Sequence, residues 1–474
     1  MNFEVTGTWT LSGGGPECHG HLEKSAERDA KLSIYGKFGD LPEPGFGNSQ
    51  TIWGTTPKGP ISLLNALPTS WTDPPIETQT WTVQRVIRGG HIDRTSAFRH
   101  FTFKLPGLLY WFGPSPLNYA SQRGASNSPV ADYNSELTAE LHNGATIRLL
   151  GTSSRSRTLV NESTEKFAIY VVSKKTGMSL DEIDFICLSF QRLHSLITNE
   201  PMSAFDVTMY SETLGDGGFW FEEQDKIEGA RWASTGLHDP FFDTSEIGFA
   251  SFVNKWHNLH QTALVACSAA APREDAMYLS SRLIQGANGV EALAATRVVP
   301  ISQEHHLLVA EVEKALEVGE IARDTRKYLI KQLEYQRQGT LSTKLVGLAR
   351  SLGQESAAWL LGPKLGVWAD VVAKVRNSLT HGSQLSDGLS ADTELLWACD
   401  LSVTVVLRLA LLVECGFTNR QGPPGANGEI FIFRDEKIAS HPNSNLYELA
   451  ARLAEYSPYW KQWNQRLHGH SQIK

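Results

Sequence analysis

The chain reads as a multidomain α and β protein, a β-rich N-terminal region of sandwich type followed by an all-α helical bundle. Three observations predict this. Up to about residue 250, short apolar–polar alternations recur between clusters of Gly, Pro, Asn and Ser, as half-buried strands require. Beyond that point apolar residues recur at three- and four-residue intervals, the period of a helix face. The length, 474 residues with 41% hydrophobic and 9% aromatic content, is ample for two or three packed cores.

In chain order, strand-like alternation covers 78–87, 98–105, 136–141, 146–150, 166–172 and 205–210. One helix interrupts the strands. Ser179 and Glu182 form a capping box, and Ile183, Ile186, Phe190, Leu193 and Ile197 follow on one face. This composition favours a large β-sandwich region, with two stacked sandwiches as one arrangement, and a packed helix. A helix carrying Phe252, Trp256 and Leu259 then leads to an Ala-rich link over Cys267 to Pro272. Helices are predicted near 274–297, 303–316, 319–336, 341–352, 364–381, 391–414 and 444–455, a bundle with short connections. A Gly- and Pro-rich loop at 422–428 and a strand-like segment form an insertion before the last helix. The divisions expected are therefore 1–250 for the β-rich part, 251–272 for the connection and 273–474 for the helical part.

Several function classes are disfavoured. The five cysteines are scattered, which argues against a disulfide framework and for a reducing, cytoplasmic compartment. No basic start and apolar core open the chain as a signal peptide would, and the apolar run Leu401 to Val413 is short and contains Arg408, which predicts a buried bundle helix and no membrane partner. The net charge of -8 is confined to the first 300 residues, which hold 24 basic and 32 acidic side chains, whereas 19 of each follow from residue 301. A general nucleic-acid binder would be basic. The basic group Arg323, Arg326, Lys327 and Lys331 can meet phosphates, although such a group is more often a solvated helix face. Cys18, His19 and His21 have no second ligand pair at finger spacing and read as turn residues, so neither a metal nor another cofactor is expected. His305 and His306 cannot face one metal from adjacent helical positions. Gly13-Gly14-Gly15 lacks the Lys and Ser/Thr of a phosphate loop and reads as a hairpin turn. Trp53, Trp71, Trp81 and Trp111 read mostly as core.

One pattern carries chemistry. Five Arg–His pairs have four to six residues between them: Arg85 with His91, Arg94 with His100, Arg231 with His238, Arg376 with His381, and Arg434 with His441. The first two lie in strand-like segments, the third crosses a loop and the last leaves a strand for a His-Pro turn. Only Arg376 lies on a helix, whose apolar face is Trp368, Val371, Val372, Val375 and Leu379 and whose stop is Gly382. At about 100° per residue, Asn377 and His381 are neighbours on the opposite face and Arg376 sits at the flank. An imidazole near its ordinary pKa can move the proton of a ribose 2′-hydroxyl or of a leaving 5′-oxygen. A guanidinium can grip the scissile phosphate, and an amide can orient it. The helix C-terminus favours the protonated ring of His381.

The Arg-Asn-x-x-x-His arrangement at the end of a helix in an all-helical region resembles the HEPN superfamily of nucleases. The Phe3-to-Trp9 and Leu32-to-Gly36 segments, Leu109-Tyr110-Trp111, the Ser179-to-Ile197 helix and Phe252 to Leu259 are together similar to ApeA-like proteins, which pair a β-rich N-terminal domain with a HEPN domain. The resemblance implies a metal-independent endoribonuclease of a bacterial anti-phage abortive-infection system, with tRNA or other cellular RNA as substrate. It further implies a homodimer or dimer of dimers, since such sites form where two copies of the motif face each other, and a phage-derived trigger sensed by the N-terminal domain. By match, Arg376, Asn377 and His381 carry the site. Glu291 corresponds to an acidic residue that some members place nearby, although a solvent-facing helical Glu reads the same way. The residues alone leave another class open, a catalytically silent helical dimerisation module with an N-terminal domain that binds a protein or carbohydrate.

Overall fold

The computed structural model describes residues 3–24, 29–39, 49–72, 77–112, 136–157, 162–198, 200–211, 219–223, 244–272, 278–297, 303–319, 321–337, 339–353, 357, 361, 365–381 and 393–417. The chain divides into two compact units, Met1–His257 and Asn258–Lys474. The first is β-rich and the second helical, as the periodicities predict.

In the first unit β1 (Phe3–Leu11), β2 (Cys18–Lys24), β3 (Ala30–Tyr35), β4 (Gln50–Thr56), β5 (Gly59–Thr72) and β6 (Thr78–Arg88) lie in the order β3-β2-β1-β4-β5-β6, and β3 pairs again with β6. The alternation that suggests a sandwich is thus realised as a closed barrel, which leaves no free edge among these six strands. A single buried face per strand is common to both architectures, and only the β3–β6 pairing, from Ala30↔Val83 to Tyr35↔Thr78, separates them. Trp9, Leu22, Leu32, Ile52, Leu63 and Trp81 fill the interior. Trp9 lies against Gly54 and Gly20: a Cβ at Gly54 would sit 2.2 Å from the indole ring, and one at Gly20 3.0 Å from it. The turn at Gly13–Gly15 joins β1 to β2, with Gly14 at φ +89°. Cys18, His19 and His21, expected in a turn, belong to β2. Cys18 faces the core while the two histidines do not, so alternation separates them.

Beyond β6 the sheet continues through β12 (Phe219–Glu223), β11 (Phe205–Ser211), β7 (Phe98–Lys104), β10 (Glu162–Met178), β9 (Thr146–Arg157) and β8 (Glu136–Glu140). A short helix, α1 (Leu108–Trp111), and a long one, α2 (Leu180–Thr198), accompany this second sheet. The capping box of α2 forms in both directions: Glu182 N–H donates to Ser179 Oγ at 3.2 Å, and Ser179 N–H donates to Glu182 Oε2 at 3.0 Å. The five apolar residues named on its face are all fully buried, and Phe190 packs on Phe103 and Tyr170. Below Phe190, the Tyr170 hydroxyl and His194 Nε2 are hydrogen-bonded at 2.9 Å, with Trp111 edge-on to the imidazole. Burial holds His194 down to about 3, so the ring is neutral.

The helices that follow are α3 (Phe249–Thr262), α4 (Leu264–Ala270), α5 (Leu279–Thr296), α6 (Gln303–Val318), α7 (Arg323–Arg337), α8 (Leu341–Arg350), α9 (Leu365–His381) and α10 (Thr393–Glu414). The division between the units falls within α3. The Ala-rich stretch expected as a link is mostly helical. Alanine is the best helix former, Ala266, Cys267 and Ala270 are buried, and the extended Ala271 before Pro272 ends the helix. Gly286 and Gly289 let α5 approach its neighbours closely. A Cβ at Gly289 would lie 2.7 Å from Leu407 and 2.8 Å from Ala269, which outweighs the poor helix propensity of glycine. Within α10, the span Leu396–Glu414 is long and apolar enough by composition to cross a membrane, longer than the run read from sequence, yet most of it is buried, as in a core helix. The loop at 422–428 and the helix expected near 444–455 lie outside the described residues.

Candidate active site

Helix α9 carries the motif. Trp368, Ala369, Val372 and Val375 are fully buried, and Ser378 nearly so. Val371 and Leu379, counted with the apolar face in the sequence, are half-buried, so the inward stripe is centred one position away from the expected one. The helix is pinned where Trp368 Nε1–H donates to Ser402 Oγ on α10 at 2.9 Å, and where Ser342 Oγ on α8 donates to Asp370 Oδ1 at 2.6 Å. These anchors fix which side chains leave the core.

Arg376 leaves it at the flank, as predicted, with 18% of its side chain exposed, and Asn377 is exposed. The guanidinium makes two contacts. Arg376 Nη2 lies 3.4 Å from Glu291 Oε2 on α5, and Nη1–H donates to Asn377 Oδ1 at 3.1 Å. Its Nε–H is buried and has no hydrogen-bond acceptor among the described residues. Thr380 Oγ1–H donates to the Arg376 carbonyl at 2.7 Å, closing the turn that leads to His381. His381 is the last residue of α9, and its side chain lies outside those described.

Three of the four residues read from sequence, Arg376, Asn377 and Glu291, therefore meet, although Glu291 stands on a helix remote in sequence. Lys344, from α8, completes the group. Its Nζ lies 4.0 Å from Glu291 Oε1, with 18% of the side chain exposed. A lysine on an amphipathic helix carries no signal in sequence, and only the packing of α8 beside α5 and α9 reveals it.

The remaining basic group is not joined to this cluster among the described residues. Arg326 pairs with Glu317 at 2.7 Å, Arg323 and Lys327 are exposed, and the Lys331 side chain lies outside the description, as do those of His305 and His306. Other Arg–His pairs have structural occupations. Arg85 is paired with Asp184 at 2.8 Å, His91 stacks on Trp53, and Arg94 hydrogen-bonds Ser49 and Asn65. Arg231 with His238 and Arg434 with His441 lie outside the described residues. Of the tryptophans, Trp81 and Trp111 are core, Trp53 is half-buried and Trp71 is 38% exposed. No cluster of three or more potential metal ligands occurs among the described residues.

The same unit buries other charge. Arg282 Nη2 lies 2.8 Å from Asp400 Oδ2, and burial raises the Asp400 carboxyl to about 6 while Arg282 pulls it back. Burial lowers Arg408 to about 10.

Compared with known families, residues 4–256 match the model for ApeA N-terminal domain 1, and residues 284–421 match the model for Apea-like HEPN. The second match contains Glu291, Lys344, Arg376, Asn377 and His381. A HEPN domain of this type points to an RNase-like role in anti-phage defence. No curated protein and no solved structure gives a significant match.

Proposed function

The chain belongs to the ApeA-like HEPN proteins, and we propose that its helical unit is a metal-independent endoribonuclease of an anti-phage abortive-infection system. The observation that carries this reading is the state of Arg376. It is half-buried and tethered by Glu291 and Asn377, five residues before His381 on the same helix. A guanidinium so fixed loses little freedom on gripping a phosphate.

The reaction follows from these groups. The ribose 2′-oxygen attacks the adjacent phosphorus as its proton passes to a base. The phosphorus–5′-oxygen bond breaks, and the 5′-oxygen takes up a proton. The products are a 2′,3′-cyclic phosphate and a 5′-hydroxyl. His381 serves as the acid or base, Arg376 stabilises the charge that builds on the phosphate, and Asn377 positions it. A single histidine supplies one of the two proton transfers, which fits a homodimer, or a dimer of dimers, in which two motifs face each other. The substrate is cellular RNA, tRNA among it, in the cytoplasm, and the N-terminal unit is the sensor of a phage-derived trigger.

The test is cleavage of total bacterial RNA by the full chain in EDTA, with and without phage lysate, beside His381→Ala. Discrete cuts by the unaltered protein that vanish in the variant are expected. No cuts under either condition would instead favour a silent dimerisation module.

A further inference from the structure

We infer that Lys344 is a phosphate-binding residue of the same site, holding the RNA backbone beside the scissile group; this rests on the nuclease reading above. Glu291 stands between two cations and gives one carboxylate oxygen to each, Oε2 to Arg376 and Oε1 to Lys344. The cluster therefore carries a net charge of about +1 under partial cover, where a Coulomb interaction is several times stronger than in bulk water. Two other half-covered lysines have a carboxylate close by, Lys174 with Glu182 at 2.6 Å and Lys104 with Asp206 at 2.9 Å. Lys344 does not: at 4.0 Å its ammonium is beyond hydrogen-bond range of Glu291, and it has no hydrogen-bond acceptor among the described residues.

The arrangement is that of an anion site held ready. The excess positive charge lies on adjacent helices joined by one carboxylate, and among the described residues the Lys344 ammonium has no hydrogen-bond acceptor. A phosphodiester supplies that acceptor, and Glu291 keeps the cations from separating when none is bound. The two cations divide the work by type. The guanidinium fork suits the oxygens of the reacting phosphate, whereas an ammonium acts as a point charge on a neighbouring one.

The experiment uses the full-length protein and a 5′-labelled single-stranded oligoribonucleotide, with binding measured across a salt series for the unaltered chain, Lys344→Met, Lys344→Arg and Arg376→Met. Lys344→Met is expected to weaken binding about tenfold near 0.1 M salt and to lower the slope of log affinity against log salt by roughly 0.7–1, with Lys344→Arg restoring the slope. A loss of packing alone would not change that slope. If Lys344→Met does not fold, Lys344→Gln takes its place in the same series. An unchanged slope while Arg376→Met weakens binding would overturn the role of Lys344 and leave the nuclease reading standing. Absence of RNA binding by the unaltered chain would overturn both.

Discussion

The two units differ in what they bury. In the β-rich unit the fully buried polar side chains described are neutral: Ser62, Gln79, Ser189, His194 and His257 among them. The helical unit buries two charged side chains, Asp400 and Arg408, while partly covered cations occur in both units, Lys174 and Lys104 in the first and Arg376 and Lys344 in the second. Covering a charge costs several kcal/mol unless it is paired and hydrogen-bonded, whereas a neutral group needs only a partner. The contrast separates a unit whose buried polar groups are neutral from one that buries charge. It also predicts opposite responses to mutation and to pH.

The largest effect falls on the reaction itself. Arg376→Ala should reduce RNA cleavage about a thousandfold, the scale of losing a principal charge-stabilising group, while a thermal melt changes little. A loss of folding equal to the loss of activity would mean that the arginine is only a structural partner of Glu291.

Acid comes next. The ordinary pKa of His194 is lowered by burial to about 3, so its contribution to stability is present above about 6.5 and lost as pH falls toward 3. His257 behaves alike, held to about 4 by burial and then by His142. Unfolding of the β-rich unit followed by urea titration should lose about 4 kcal/mol over that range through His194 alone. The double variant Tyr170→Phe with His194→Phe removes both hydrogen-bonding partners and should flatten the curve; an unaltered curve would show that the imidazole is not the titrating group.

The barrel supplies a third break. Gly54→Ala pushes a methyl into Trp9 and should destabilise the first unit by about 3 kcal/mol in the same measurement. The helical unit should be unaffected.

Asp400 gives the smallest effect and the opposite sign. Its folded pKa is raised to about 6, so the stabilising contribution of the neutral carboxyl is complete below about 3.8 and lost as pH rises through about 6. Asp400→Asn should therefore gain about 2 kcal/mol at pH 7.5 and nothing at pH 4, read from melting of the helical unit. A loss at both pH values would mean that the ion pair with Arg282 outweighs burial.

Much of the organisation was legible in the sequence. The capping box at Ser179 and Glu182, the strand over Phe98–Lys104 and the helix over Leu365–His381 each follow from local chemistry or a clean period. Strand β5 resisted because it breaks the alternation: Asn65 has a positive φ, Pro68 interrupts the run and the register with β6 shifts between Pro68 and Ser70. Closure of the barrel was hidden because the pairing of β3 with β6 joins segments distant in sequence. At the site, Arg376 and Asn377 could be read because they share one helix. Glu291 came only from resemblance, and Lys344 not at all, since both depend on how α5, α8 and α9 pack.

The central claim is that the ribose 2′-hydroxyl is the nucleophile, and it is tested most directly on a mapped cut site. An oligoribonucleotide carrying that site would be compared with one in which the single 2′-hydroxyl before the cut is replaced by hydrogen, both incubated with the full chain in EDTA. The account predicts cleavage of the first, ending in a 2′,3′-cyclic phosphate, and none of the second. Cleavage of both at similar rates would contradict it, because the phosphate would then be attacked by something other than its own ribose.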